Sequence, residues 1–258
     1  MEIIIKSDYS EISSESALIV ANQIKAKSDT VLGLATGSTP LGLYKELIRL
    51  HLNEGLDFSN VATFNLDEYV GLSNNHPQSY NVFMRENLFS KINIKKENIN
   101  VPNGMVPHEK ECERYESLIK SYGGIDLQIL GIGSDGHIAF NEPSSSLGSR
   151  TRLKTLTQET VEDNSRFFDN ISDVPRFAIT MGVGTIMEAK SILLMASGTS
   201  KSIPITMAIE GPISSMCSAS AIQMHPKTMV IIDENAAKNL KEKDYYKWVY
   251  NNKKNLNN

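Results

Sequence analysis

Hydrophobic residues in this chain come as short dense runs set between longer, more dilute patterns. The dense runs are EIIIK (2–6), TVLGLAT (30–36), VATFNL (61–66), IDLQILGI (125–132), RFAITM (176–181), SILLMAS (191–197) and TMVIID (228–233). Several are apolar at successive positions, which is how a strand reads when both of its faces are covered. The segments between them, 12–26, 40–52, 78–88, 109–121 and 201–209, have helical spacing. Pro40, directly after Ser38 and Thr39, marks one helix start, because its fixed φ and missing N–H suit the first helical position. This alternation predicts an α/β fold: an open, doubly wound, mostly parallel sheet of Rossmann-like type with helices on both faces.

No repeat, low-complexity tract or linker interrupts the pattern, so 1–258 reads as a single domain. The segment 143–175 breaks the alternation and is expected to form a lid over a site or an interface. The polar tail NNKKNLNN (251–258) is expected to fray.

Composition narrows the class. A chain of 258 residues, 40% hydrophobic, can bury one large core. The net charge of −4 argues against a general nucleic-acid binder and leaves room for local sites that hold a small anion. Cys112 and Cys217 are far apart and form no CxxC, a pattern of reducing compartments. The N-terminal MEIIIKSDYSEISS lacks the basic and apolar regions of a signal peptide, and no apolar run reaches membrane-spanning length. A soluble cytoplasmic protein with no membrane partner is expected.

The densest chemistry lies in GIGSDGHIAFNEP (131–143). Gly131, Gly133 and Gly136 match G-x-G-x-x-G, yet Pro143 leaves little room for the helix that a dinucleotide turn requires. Thr151, Arg152 and Leu153, about 20 positions on, include no acid for a ribose. The glycines fit better as a turn bringing backbone close to a ligand. Asp135 and His137 point the same way in an extended segment, and Glu142 is near enough to fold back. A carboxylate beside an imidazole raises its pKa and prepares it for proton transfer. A solvated turn with an incidental histidine is the plainer alternative. Asp, His and Glu also ligate metals, but their spacing matches no standard motif.

Other candidates also follow strand ends, where open α/β sheets gather ligands. TVLGLAT leads into Gly37-Ser38-Thr39, and SILLMAS into Gly198-Thr199-Ser200-Lys201; both are hydroxyl-rich turns before helices, suited to an anion or simply to capping. VATFNL leads into Asp67 and Glu68, which diverge in an extended chain and so serve different roles, one of them a candidate general base. His51, His76, His108 and His225 read as surface or local structure, and methionines such as Met181, Met195, Met207, Met216 and Met224 as core filling.

Taken together, LATGSTP (34–40), TFNLDEYVGL (63–72), HPQSYNVFM (76–84), GIGSDGHIAFNEPSSSLGSRTR (131–152), NSRFFDN (164–170) and MHPK (224–227) closely resemble the glucosamine-6-phosphate deaminases of the glucosamine/galactosamine-6-phosphate isomerase family. The resemblance implies hydrolytic conversion of glucosamine 6-phosphate to fructose 6-phosphate and ammonia in amino-sugar catabolism, without redox cofactor or catalytic metal. It places the C2-to-C1 proton carrier on Asp67 and the ring-opening group on His137, assisted by Asp135 and Glu142. Phosphate contacts fall on the loop Thr36, Gly37, Ser38 and Thr39, on Arg166, which spacing alone does not reveal, and on Lys201. It further implies a homo-oligomer, a hexamer among the options, activated by N-acetylglucosamine 6-phosphate at Ser145, Arg152, Lys154 and Thr155. Two features depart from the family: Cys217 stands where a tryptophan is common, and no single residue among Tyr245, Tyr246 and Tyr250 matches the activator-site tyrosine. The rival enzyme is a 6-phosphogluconolactonase, disfavoured by NLDEYVGL and FNEP. The rival class is a non-catalytic sugar-phosphate sensor, which leaves the acid–base cluster without a purpose.

Overall fold

The computed structural model describes residues 1–166 and 168–256, and among these described residues there are ten strands and eight α-helices. Phe167 of the NSRFFDN motif and Asn257 and Asn258 of the tail lie outside the described residues. The strands are β1 (Glu2–Lys6), β2 (Val31–Leu34), β3 (Ala62–Asn65), β4 (Asp67–Tyr69), β5 (Ile99–Asn100), β6 (Leu127–Leu130), β7 (Arg152–Thr155), β8 (Phe177–Thr180), β9 (Ile192–Ala196) and β10 (Thr228–Asp233). The helices are α1 (Tyr9–Ala26), α2 (Leu41–Glu54), α3 (Tyr80–Asn87), α4 (His108–Ser121), α5 (Gln158–Ser165), α6 (Val183–Met187), α7 (Ser202–Ile209) and α8 (Lys243–Leu256).

Seven strands form one sheet in the order β1-β10-β9-β6-β2-β3-β5, with every pair parallel. The dense apolar runs follow from what covers this sheet. Val230 and Ile232 of β10 and Ile192 and Leu194 of β9 face a core shared with Tyr115 of α4 and Ile205 of α7. Ile231, Leu193 and Met195, the alternate positions, face a second core with Ile12 and Val20 of α1 and Leu43 and Leu47 of α2. Both faces are thus apolar with period two, and the doubly wound expectation holds.

RFAITM is a strand, but it does not join the parallel sheet. β8 lies between β4 and β7 in a separate antiparallel sheet. A short apolar run carries no information about its partners. Its place is set by β4 and β7, whose mixed polar sequences DEY and RLKT gave no strand signal. Tyr69, Phe140, Leu156, Val161 and Ala178 form a small third core under this sheet. The excursion at 143–175 supplies β7 and α5.

The tail expected to fray is helical as far as Leu256. α8 is fastened to both α1 and the β1 edge: Tyr250 Oη bonds Glu15 of α1 at 3.2 Å, and Lys253 pairs with Glu2 of β1. Met181 and Met195 fill the core as expected, whereas Met207, Met216 and Met224 are exposed. Among the described residues, no helix is long and apolar enough to cross a membrane.

Candidate active site

Chain order reverses between β2 and β6: β2 leads outward to β3, and β6 outward to β9. A crevice opens at the carboxyl ends where such a reversal occurs. Here it holds a cavity of about 200 Å³ lined by Thr36, Gly37, Ser38 and Thr39 after β2, Asp67 after β3, the glycine turn and His137 after β6, and Lys201 after β9. Arg166 completes the same wall from the end of α5. The structure thus brings together every expected phosphate contact, the expected base and the expected ring-opening histidine.

One end of the cavity is built for an anion. Gly37 adopts φ +89°, turning the chain so that the loop meets the start of α2. Among the described residues, no protein acceptor takes the N–H groups of Gly37, Ser38 or Thr39, and the α2 dipole adds to their pull on negative charge. Lys201 and Arg166 supply formal charge opposite.

The loop is held from behind by two tyrosines absent from the sequence reading. Tyr44 Oη donates to Ala35 O at 2.5 Å. Tyr9 Oη lies 2.9 Å from Thr39 O and 3.1 Å from Ser38 O, and accepts Gly42 N–H at 2.8 Å. Tyr9→Phe should therefore raise KM for a phosphorylated substrate about 3- to 10-fold, the worth of one or two such bonds. Steady-state kinetics should show kcat little changed.

Asp67 and Glu68 diverge as their adjacency demands. Glu68 is a structural cap: Oε1 accepts Tyr69 N–H and Tyr80 N–H at 2.9 and 3.0 Å, and Oε2 accepts Asn81 N–H at 3.0 Å. It thereby closes the first turn of α3. Burial still pushes its carboxyl up, to about 6. Asp67 faces the cavity instead, only 6% exposed, with no hydrogen bond to its carboxylate among the described residues. Burial, reinforced by the charge of Glu68 and opposed by His137, lifts Asp67 to about 8. Its position is set from two sides, because Leu66 N bonds Leu34 O in the large sheet while Met181 N bonds Leu66 O.

His137 stands on a turn whose geometry explains the glycines. Asp135 Oδ1 accepts His137 N–H at 3.0 Å, and Gly133 N–H bonds His137 O at 2.9 Å. Gly136 adopts φ +88°, and a Cβ there would lie 2.6 Å from Cys217 Sγ. A Cβ on Gly133 would lie 2.4 Å from the His137 ring. No helix follows Gly136, so the turn is not a dinucleotide cradle.

The imidazole Nδ1 lies 2.7 Å from Asp135 Oδ1 and 3.4 Å from Glu142 Oε2. These are ion-pair contacts rather than well-aligned hydrogen bonds, since neither Nδ1 nor Oε2 has an in-line partner. Burial would by itself lower the histidine, but the two carboxylates outweigh it and raise His137 to about 9. Both acids are held below their ordinary values by His137, against the opposing effect of burial. The ligating atoms of the three lie within 4.8 Å of one another, the spread of a cation site. The 2.7 Å Nδ1–Oδ1 separation is that of a direct ion pair, whereas two ligands about 2.0–2.2 Å from one ion at tetrahedral angles stand further apart.

The four expected activator residues lie away from this cavity. Ser145 is buried on the turn after Glu142, and Arg152 Nη1 donates to Asn141 Oδ1 at 2.9 Å. Arg152 and Lys154 share one face of β7, and Thr155 takes the other. His225 is buried and tied to Ala189 O at 2.7 Å, a structural role. Tyr80, Phe140, Thr160 and Asn164 also line the cavity and were not singled out in the sequence.

Residues 9–231 match the family of glucosamine-6-phosphate isomerases and 6-phosphogluconolactonases. The chain belongs to this family. Within it, the chain is 53% identical over 245 residues to a glucosamine-6-phosphate deaminase of Thermoanaerobacter pseudethanolicus, covering 95% of this chain and 97% of that protein. A glucosamine-6-phosphate deaminase of Dictyostelium discoideum is 51% identical over 255 residues, covering 95% and 96%. Among solved structures, a monomeric glucosamine-6-phosphate deaminase superposes with a TM-score of 0.91 at 47% identity, over 92% of this chain and 99% of that one. The 6-phosphogluconolactonase of Trypanosoma cruzi, at 21% identity and a TM-score of 0.72 over 93% and 97%, shares the fold. The deaminase side of this isomerase and lactonase family is therefore where the sequence similarity concentrates.

Proposed function

We propose that this family member deaminates and isomerises D-glucosamine 6-phosphate, with water, to D-fructose 6-phosphate and ammonia. The observation that carries the reading is a single cavity holding a buried, proton-avid Asp67, a carboxylate-flanked His137 and an anion-binding loop. The deaminase relatives at about half identity over nearly the whole chain support the same substrate.

The chemistry follows from the parts. Phosphate bound by Ser38, Thr39, Arg166 and Lys201 fixes the far end of the sugar, so that the reacting carbons meet the acids and bases without a search. His137, kept protonated by Asp135 and Glu142, gives a proton to the ring oxygen as the anomeric hydroxyl loses one, and the ring opens. Asp67 then takes the C2 proton, made acidic by the new aldehyde, and returns it to C1. The resulting C2 imine adds water and expels ammonia, leaving the ketose. Lactone hydrolysis is acyl transfer to water and involves no C2-to-C1 proton transfer for Asp67 to perform, which disfavours the lactonase. Assaying 6-phosphogluconolactone beside glucosamine 6-phosphate separates the two directly.

The free-enzyme groups set the pH dependence of kcat/KM. Asp67 acts only when ionised, so the rate rises with pH through about 8. His137 acts as an acid only while protonated, so the rate falls as pH rises through about 9. A bell centred between these values is expected. An optimum at pH 6 would contradict the assigned roles.

Homo-oligomer formation, and activation by N-acetylglucosamine 6-phosphate at Ser145, Arg152, Lys154 and Thr155, belong to this reading on the resemblance alone. The neighbour of 47% identity is described as monomeric. A cytoplasmic setting is supported by two buried free thiols, Cys112 and Cys217.

A further inference from the structure

Glu142 has two carboxylate oxygens with different surroundings. Oε2 faces His137 Nδ1 at 3.4 Å and has no aligned donor of its own. Oε1 is held by α5: Thr160 Oγ1 donates to it at 2.6 Å, and Thr157 N–H points at it from 3.4 Å. The same turn is locked by Thr160 N–H donating to Thr157 Oγ1 at 3.2 Å, the N-cap bond of α5. Ser134 Oγ adds a second tether, reaching Glu159 at 3.0 Å across the glycine turn. Thr160 itself lies on the cavity wall, nearly buried.

We propose that Thr160 is a positioning residue for ring opening, its hydroxyl holding one oxygen of Glu142 so that the other stays turned to His137. A buried carboxylate with one oxygen unheld can rotate about its terminal bond, and a shift of an ångström in a proton-transfer partner changes rate strongly. The fixed Oε1 leaves Glu142 a single orientation, and the hydroxyl bond also favours its ionised form. The N-terminal end of α5, with its exposed dipole, favours the same charge. A plain helix cap explains the Thr157–Thr160 contact but not a hydroxyl spent on a carboxylate from another segment. This role sits within the deaminase reading and adds to it a residue that acts through Glu142, not on the sugar.

The test uses the full chain and ammonia release from glucosamine 6-phosphate. Thr160→Val keeps the volume and removes the hydroxyl. It should lower kcat about 10- to 100-fold while leaving KM within about twofold, since the phosphate end is untouched. Thr160→Ser, which restores the hydroxyl, should recover most of the loss. In a Glu142→Ala background, Thr160→Val should add nothing further, because its only route to the chemistry is gone. Thr160→Ala is read by the same ratios should valine crowd the site. An active parent with undiminished kcat in Thr160→Val overturns the role alone, as does a loss that persists in full without Glu142. A parent that releases no ammonia overturns the deaminase reading and the ring-opening role with it.

Discussion

Asp67→Asn is expected to lower kcat by about 10²- to 10⁴-fold, the usual contribution of a positioned general base. The substitution keeps shape and leaves a neutral amide where a proton must be accepted. Binding should survive, because the proposed phosphate contacts come from the β2 turn, Arg166 and Lys201 rather than from β4. Equilibrium binding of fructose 6-phosphate, measured beside turnover, separates these effects. Stability should not fall. Asp67 has a raised folded pKa, so its ionisation destabilises the native state increasingly as pH rises from the ordinary carboxylate range through about 8. Asparagine removes that penalty, and thermal unfolding at pH 8 should show a Tm equal to or above the parent. Near-normal turnover would remove the base from Asp67.

His137→Gln is expected to cost about 10²-fold or more with the cyclic substrate and much less with an open-chain analogue lacking the ring oxygen. The cause is a lost proton donor in a place that keeps it charged. Glutamine also leaves Asp135 and the buried Glu142 facing each other without the cation between them. A second signature lies in stability. The folded pKa of His137 is raised from 6.5 to about 9, so its contribution is complete below about 6.5 and disappears as pH rises through 9. The variant should therefore be less stable than the parent at pH 6 and nearly equal to it at pH 10, by denaturant unfolding at both. Equal losses on cyclic and open-chain substrates would argue against ring opening.

The sequence carried the parallel sheet because period-two burial on both faces leaves dense apolar runs such as TMVIID and SILLMAS. It also carried the cavity's floor, since polar residues directly after such runs gather at one sheet edge. The division between Asp67 and Glu68 was legible as a divergence of neighbours, but not which of the two would cap α3. That choice depends on where Tyr80 and Asn81 bring their N–H groups. The third wall was not legible. QETVEDNS has a single strongly apolar residue, Val161, and folds as α5 through the Thr157 cap and its grip on Glu142. Arg166 came only from resemblance, Asn164 lay in the same NSRFFDN motif without a role, and Thr160 came from neither spacing nor motif. RLKT escaped notice for the same reason: Leu153 is its one apolar residue, and Arg152 is held by Asn141 rather than by water alone. Tyr9, far from every motif, is visible only once α1 is packed beside the β2 turn.

The central claim is that this cavity removes the amine of an amino-sugar phosphate by acid–base chemistry carried by Asp67 and His137. Its most direct test is to incubate the purified chain with glucosamine 6-phosphate and a chelator, following ammonia and fructose 6-phosphate together. Equal amounts of both products, abolished in Asp67→Asn, are the predicted result. Folded protein that binds the sugar phosphate and releases no ammonia would contradict it.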